Sequence, residues 1–252
     1  MMEAAAPPYS RLAPHYDSAV GRTFFGALRQ AFDLLVARHG IRFRDALDLG
    51  CGTGLFAGHL AQRYGASVLG IDNAPAMLAL ARRNCTSCRV GFMQQDLREL
   101  ALPWRFDLVT ANFDTLNHLR HPAQLRRLLR VVAGLLRPGG RLVFDLLTPA
   151  AAQCLGPRQS RRWQLAQGRV TQTVQVQPGS RHLVTRIDIL RQQGPHPASQ
   201  ERHVERLYPV VDVARWLAEA GLTTQALLDA QTLQPAGVEP ARSLFVVRAP
   251  GA

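Results

Sequence analysis

Asp48-Leu49-Gly50-Cys51-Gly52-Thr53-Gly54 puts glycine at three alternate positions behind an acidic residue. Glycine reaches backbone conformations closed to bulkier residues, and it lets a ligand approach the main chain closely. Asp72 lies 22 residues beyond Gly50, a spacing at which a carboxylate can accept hydrogen bonds from ribose hydroxyls. Asp96, between Gln95 and Leu97, offers another carboxylate behind the short apolar run Val90-Gly91-Phe92-Met93. His118, in Thr115-Leu116-Asn117-His118-Leu119, carries an imidazole that unperturbed titrates near neutral pH, as a general base should. The chemistry these residues suggest is capture of a nucleoside-bearing ligand beside a proton acceptor.

Such residues need elements to hold them. Ala46-Leu47 precedes the glycine run and the amphipathic stretch Leu55, Phe56, His59, Leu60 follows it, so the run reads as strand, turn and helix start. Strands expected at 45–49, 67–71, 90–93, 106–111 and 141–146 alternate with helices at 54–64, 75–84 and 122–136, the rhythm of a parallel, doubly wound sheet. Residues 9–40 read as helix after a loop, with Phe24, Phe25, Leu28, Ala31, Phe32 and Leu35 on one face. Near residue 155 the period changes to two, over 169–176, 182–190 and a third strand at 201–208, with a turn at Pro178-Gly179-Ser180. Residues 155–208 are therefore expected to form an antiparallel sheet inserted after strand five. A helix through Val213, Trp216, Leu217 and Ala220 ends at Gly221, and 223–229 with 243–248 supply a closing hairpin.

The glycine run alone is ambiguous, because Gly52-Thr53-Gly54-Leu55-Phe56-Ala57 also fits the dinucleotide fingerprint G-x-G-x-x-G/A. Three further features separate the readings: Asp48 two residues before the first glycine, Gln95-Asp96-Leu97 after strand three, and Leu136-Arg137-Pro138-Gly139-Gly140-Arg141-Leu142 ahead of strand five. With these, the chain resembles the class I S-adenosylmethionine-dependent methyltransferases, in particular small-molecule and sugar-amine members. Tyr9-Ser10-Arg11-Leu12-Ala13-Pro14-His15-Tyr16-Asp17 is similar to the Y-x-x-x-A-x-x-Y-D opening of that group, and Glu201 to Tyr208 to its E-x-H-x-x-R-x-Y. The resemblance implies an α/β fold, a Rossmann-like seven-stranded sheet with a small antiparallel insertion. It divides the chain into an N-terminal helical lid (1–41), a cofactor-binding core (42–154), the insertion over the site (155–208) and a closing helix and strands (209–252).

It also implies roles. Gly50, Gly52 and Gly54 with Asp48 would hold the methionine moiety of S-adenosylmethionine, Asp72 the ribose with Asn73 and Met77 nearby, and Asp96 the adenine amino group with Leu97 against the ring. Asn112, Phe113 and Asn117 would lie at the reactive end, with Tyr9 and Tyr16 in the lid. His118 is the candidate base, and His203, Arg206 and Tyr208, together with Tyr16, are candidates for the acceptor pocket. No metal is expected. The amino-methyltransferase signature N/D-P-P-[YFW] is absent, Asn112-Phe113-Asp114-Thr115 standing in its place.

Composition bounds the alternatives. The chain has 252 residues and 47% apolar content, enough for a packed core, and no apolar run long enough to span a membrane. Its start lacks a basic region followed by an apolar one, so cytoplasmic residence is the expectation. Cys85 and Cys88 have zinc-like spacing without a second pair, and free thiols are expected. All thirty basic residues are arginine, the formal charge is +12, and between 120 and 141 six arginines meet no acid. That charge leaves RNA methylation as an alternative, although no RNA-binding aromatic motif accompanies it. A cofactor-binding partner subunit without turnover and a nicotinamide dehydrogenase complete the alternatives, and a monomer or homodimer is expected.

Overall fold

A computed structural model describes residues 8–166, 168–177, 179–191, 199–237 and 239–251. Two sheets organise it. The larger has seven strands: β1 (Asp45–Leu49), β2 (Ser67–Asp72), β3 (Val90–Gln94), β4 (Phe106–Ala111), β5 (Leu136–Leu147), β10 (Thr223–Asp229) and β11 (Arg242–Arg248). Their order is β10-β11-β5-β4-β1-β2-β3, with β1 to β5 parallel and β11 antiparallel to both its neighbours. The chain leaves β1 to one side for β2 and β3 and returns to the other for β4. At such a reversal the loops at the carboxyl ends part and leave a crevice.

Helices cover both faces because each presents one apolar stripe. On one face α5 (Pro122–Leu135) buries Leu125, Leu128, Leu129 and Val132, and α7 (Val210–Glu219) buries Val213 and Leu217. On the other, α2 (Arg22–His39) and α3 (Leu55–Tyr64) pack Phe32, Leu35, Phe56 and Leu60 against Ala46, Val68 and Leu108. Phe144 and Phe245 stack at 4.7 Å where β5 and β11 are in register.

The second sheet, β6 (Arg158–Leu165), β7 (Gly168–Val176), β8 (His182–Arg191) and β9 (Ser199–Arg206), is antiparallel throughout. It has four strands where three were expected. The additional strand β6 is an edge whose arginines and glutamines leave no apolar alternation to read. Helix α6 (Pro149–Leu155), also unexpected, starts at Thr148, whose hydroxyl accepts from Ala150 N at 3.2 Å. Strand β9 starts earlier and stops at Arg206, so Leu207 and Tyr208 turn into the core instead. Of the expected 178–180 turn, Pro178 lies outside the described residues.

The N-terminal segment bridges the sheets. α1 (Ala13–Tyr16) runs through a π-helical turn, Asp17–Gly21, into α2. Leu12 and Ala19 pack on Val170, Ile187 and Ile189 of the second sheet, while Ala13 packs on Met77 of α4 (Pro75–Asn84). Among the described residues no helix is long and apolar enough to cross a membrane.

Candidate active site

Gly50 and Gly54 both adopt the left-handed backbone region, for different reasons. At Gly50 a Cβ would lie 2.5 Å from Thr115 Cγ2, so only glycine lets the 3-10 turn Thr115–His118 come down on the loop after β1. At Gly54 the Cβ would meet Phe92 and Ala81 at 2.8 and 2.9 Å. Gly54 therefore starts α3 and packs it, and it does not reach the crevice as the cofactor role required.

The crevice is a cavity of about 570 Å³, within the usual range for small-ligand sites. Of the expected residues, Tyr9, Tyr16, Asp48, Gly50, Gly52, Asp72, Asn73, Met77, Asp96, Leu97, Asn112, Phe113, His118 and His203 line it. Asn117, Arg206 and Tyr208 do not. Asn117 is buried and splices strands: its Nδ2 donates to Leu147 O at 3.0 Å and Arg206 O at 2.6 Å, and its Oδ1 accepts from Leu147 N at 3.0 Å. The Tyr208 hydroxyl donates to Leu119 O inside the core, and Arg206 lies over the Tyr208 ring at 5.8 Å. These three hold the wall and are corrected from ligand contact to support.

The acids at the strand ends differ in their surroundings. Asp48 is buried and accepts from the Thr110 hydroxyl at 2.8 Å; desolvation, with Asp72 nearby, pushes it up to about 7. Asp72 accepts from Gly52 N at 2.9 Å and Ala74 N at 2.8 Å, which leaves lone pairs for a further donor. Burial still raises its pKa. Asp96 accepts from the Arg98 side chain and from Arg98 N at 2.8 Å, and these contacts hold it below the usual range. An adenine amino group would have to share Asp96 with Arg98.

His118 departs from expectation in its basicity. Burial, with His203 close by, pushes its pKa down to about 4, so the ring is neutral near pH 7 and a weak proton acceptor. Its Nε2 lies 3.0 Å from the Tyr9 hydroxyl and 3.9 Å from Glu205 Oε1. Burial raises Glu205 to about 8, with Asp114 adding to the shift, so that pair carries no ionic attraction near neutrality. The Tyr9, His118 and His203 rings form one aromatic wall.

Three groups escaped sequence reading because their partners are remote in the chain. Glu201 is a buried carboxylate that accepts from Tyr9 N at 2.9 Å, Leu12 N at 3.0 Å, Arg11 N and His203 Nε2 at 2.9 Å. Burial acts upward on its pKa, but the His203 bond and the Arg11 and Leu12 amides outweigh it. Arg242 forks onto Asp114 and also reaches Asp145, tying β11 to β5 and to the loop after β4. Asp17 accepts from Thr53 Oγ1 at 2.6 Å and Asn84 Nδ2 at 2.9 Å, fastening the π-helical turn to the glycine loop. The one legible signal was the alternation that puts Glu201, His203 and Glu205 on one face of β9.

Residues 46–140 match the family model described as a methyltransferase domain. A demethylmenaquinone methyltransferase of Thermus thermophilus is 41% identical over 158 residues, covering 59% of this chain and 68% of that protein. The chain belongs to the class I S-adenosylmethionine-dependent methyltransferases. A dTDP-3-amino-3,6-dideoxy-alpha-D-glucopyranose N,N-dimethyltransferase of Streptomyces fradiae is 36% identical over 119 residues, 46% of either chain. In fold the methyltransferase is similar to a crystal structure from Clostridium acetobutylicum (TM-score 0.80, 22% identity, 97% and 100% coverage). It is likewise similar to a sugar N-methyltransferase of a Streptoalloteichus species (TM-score 0.79, 22% identity, 99% and 97% coverage). Its cofactor is S-adenosylmethionine, and the cavity wall fits that group. Asn112 Nδ2 is a buried donor turned toward Asp48 without a hydrogen bond of ordinary length, and a Cβ on Gly52 would meet nothing within 4 Å. An unsatisfied buried donor of this kind calls for a ligand acceptor.

Proposed function

We propose that this methyltransferase methylates the nitrogen of a small-molecule amine held between the 115–118 turn and β9, oxygen being the alternative acceptor atom. The observation that carries the reading is the weakness of His118 as a base at the cavity wall; Glu205, raised to about 8, stands behind it and does not line the cavity. His118 is held near about 4, and burial raises the Tyr9 and Tyr16 hydroxyls well above their ordinary range. A hydroxyl acceptor needs its proton removed, whereas a neutral amine needs only alignment. Burial disfavours an ammonium ion, so an amine entering this wall gives up its proton readily.

When bound, the cofactor supplies a methyl carbon made electrophilic by its sulfonium. The chain's own residues orient and enclose. Asp72 and Asp48 take up hydroxyl and amino donors of the ligand, Asn112 donates to it, and Leu97 flanks the base. The Tyr9 hydroxyl, fixed by its bond to His118, keeps a lone pair free for an acceptor N–H. Alignment of this kind contributes roughly 7–11 kcal/mol to lowering a barrier. The roof of N-terminal segment and inserted sheet excludes water.

The Streptomyces fradiae relative, named as an N,N-dimethyltransferase of an aminosugar, supports nitrogen. A ubiquinone biosynthesis O-methyltransferase of Xanthomonas campestris, 38% identical over 125 residues, supports the second reading. A crevice of about 570 Å³ supports a small acceptor over an RNA strand, and an intact wall supports turnover over a purely accessory subunit. In this reading 1–41 is a lid, 155–208 a roof, and the chain acts in the cytoplasm as a monomer or homodimer.

The test is S-adenosylhomocysteine release from purified protein offered separate amine and hydroxyl pools. Release driven by amines alone supports the proposal. Release driven by phenols or quinols alone moves the acceptor atom to oxygen, and absence of both release and cofactor binding overturns the reading.

A further inference from the structure

Arg98 follows Asp96 by two residues, and its side chain closes back on that carboxylate. Asp96 Oδ1 accepts from Arg98 N at 2.8 Å and from Arg98 Nε at 3.0 Å. Oδ2 accepts from the same Nε at 2.9 Å and from Arg98 Nη2. An ionised carboxylate offers about four lone-pair sites, and here all of them are turned to one residue. Asp96, Leu97 and Arg98 all line the cavity. The main chain at this place is fixed from a second element, since Arg127 Nη1 of α5 donates to Arg98 O at 2.6 Å.

Two donors therefore contend for one acceptor. The adenine amino group of the cofactor needs a lone pair on Asp96, and none is free. Of the four contacts, only the one from Arg98 N belongs to the turn that Asp96 caps. The other three come from the guanidinium, which can turn away while the backbone stays. The Arg98 side chain is 53% exposed against 24% for Asp96, so it has solvent to move into. An exposed pair of this kind is cheap to break. Asp72 is built differently: its partners are the amides of Gly52 and Ala74, which stay in place and leave lone pairs beside them. One carboxylate of the site is open to a ligand, and the other is covered by a removable group.

We infer that Arg98 competes with the adenine amino group for Asp96 and thereby lowers the affinity for the cofactor, selectively through that amino group. The inference rests on the methyltransferase reading above and concerns the cofactor end of the same site. A purine with hydrogen in place of the amino group has no donor to offer Asp96, so it gains nothing when Arg98 leaves.

S-adenosylhomocysteine and its purine analogue, in which hydrogen replaces the amino group, are the probes. Both are titrated calorimetrically into the full chain for wild type, Arg98→Met, Arg98→Lys, Asp96→Ala and Asp96→Ala/Arg98→Met. Arg98→Met keeps the backbone contact and the alkyl stem. It should bind S-adenosylhomocysteine about threefold to fivefold more tightly than wild type, the range an exposed ion pair covers, and bind the purine analogue as wild type does. Arg98→Lys keeps the charge without the fork and should fall between. Once Asp96 is alanine, Arg98→Met should change nothing. Raising salt from about 0.05 M to about 0.5 M screens the pair, so it should tighten S-adenosylhomocysteine in wild type and not in Arg98→Met.

Weaker S-adenosylhomocysteine binding by Arg98→Met overturns the inference, because it makes Arg98 a contact of the cofactor. Unchanged affinity overturns it as well. Equal tightening of both probes makes the arginine a general obstacle, and a gain that survives Asp96→Ala removes the carboxylate from the account; either result is fatal. Failure of wild type to bind S-adenosylhomocysteine sinks the methyltransferase reading instead.

Discussion

Asp48 sits against the glycine loop at 2% exposure, with a pKa of about 7 raised from an ordinary 3.8 by desolvation. A carboxyl with a raised folded-state pKa contributes stability below its unfolded value and loses it as pH climbs through the folded one. The ligand-free protein should therefore lose stability between about pH 4 and pH 7. Asp48→Asn keeps an acceptor for Thr110 and removes the charge. By thermal melting it should be more stable than wild type near pH 8, by at most ~4 kcal/mol, with the gain vanishing near pH 4. Its cofactor affinity should fall, and a parallel gain in both quantities would refute the assignment. His118→Asn tests the weak-base reading at the same scale: kcat should drop less than about tenfold with its pH profile unmoved, whereas a true base contributes about 10²–10⁴. Asp72 and Gly50 were legible from the sequence because their roles depend on near neighbours in the chain. Glu201, Glu205 and Arg242 were not, because their partners lie across the fold.

At the level of elements, the parallel core was read to within two residues except at β5, which starts at Leu136 and runs through the expected Pro138-Gly139-Gly140 turn, since each other strand is a short apolar run bounded by glycine or a polar turn. Where local signals were weak or unused, the reading stopped short. Strand β6 carries arginine and glutamine on both faces and is held by pairing with β7, not by its own pattern. Helix α6 had its threonine cap and first-turn proline in plain view at Thr148-Pro149 but spans only seven residues. The six arginines of 120–141 looked unbalanced in one dimension, yet Arg126 finds Glu219 and Arg137 finds Asp45 and Asp107. Gly50→Ala should force the 115–118 turn off the β1 loop and destabilise by ~2–4 kcal/mol in denaturant melts, with partial recovery in Gly50→Ala/Thr115→Ala. Arg242→Met strands Asp114 and Asp145 at the junction of three elements. It should cost ~3–5 kcal/mol, most at alkaline pH where Asp114 must ionise without its partner, and an effect independent of pH would count against the pairing.

At the scale of the whole molecule, the N-terminal segment and the second sheet meet along an apolar seam and around one buried carboxylate, Glu201. Glu201→Gln replaces an oxygen facing the Tyr9 amide and His203 with a donor, so at least one of those bonds must break. Cleavage by trypsin after Arg11 should accelerate severalfold, and S-adenosylmethionine should protect wild type more than the variant. Equal cleavage rates would mean the latch does not hold the segment. The joint was invisible to sequence reading because it connects residues about 190 positions apart.

The Tyr9–Leu12 strap places the Tyr9 ring on the cavity wall and is tied down by Glu201. On the proposed reading of this segment as a lid, ligands leave only after the Glu201 bonds open, and those bonds are remade before the next cycle. Rapid-quench kinetics should therefore resolve a first turnover faster than the steady rate, with the interval between turnovers governed by unlatching and not by the bond exchange itself.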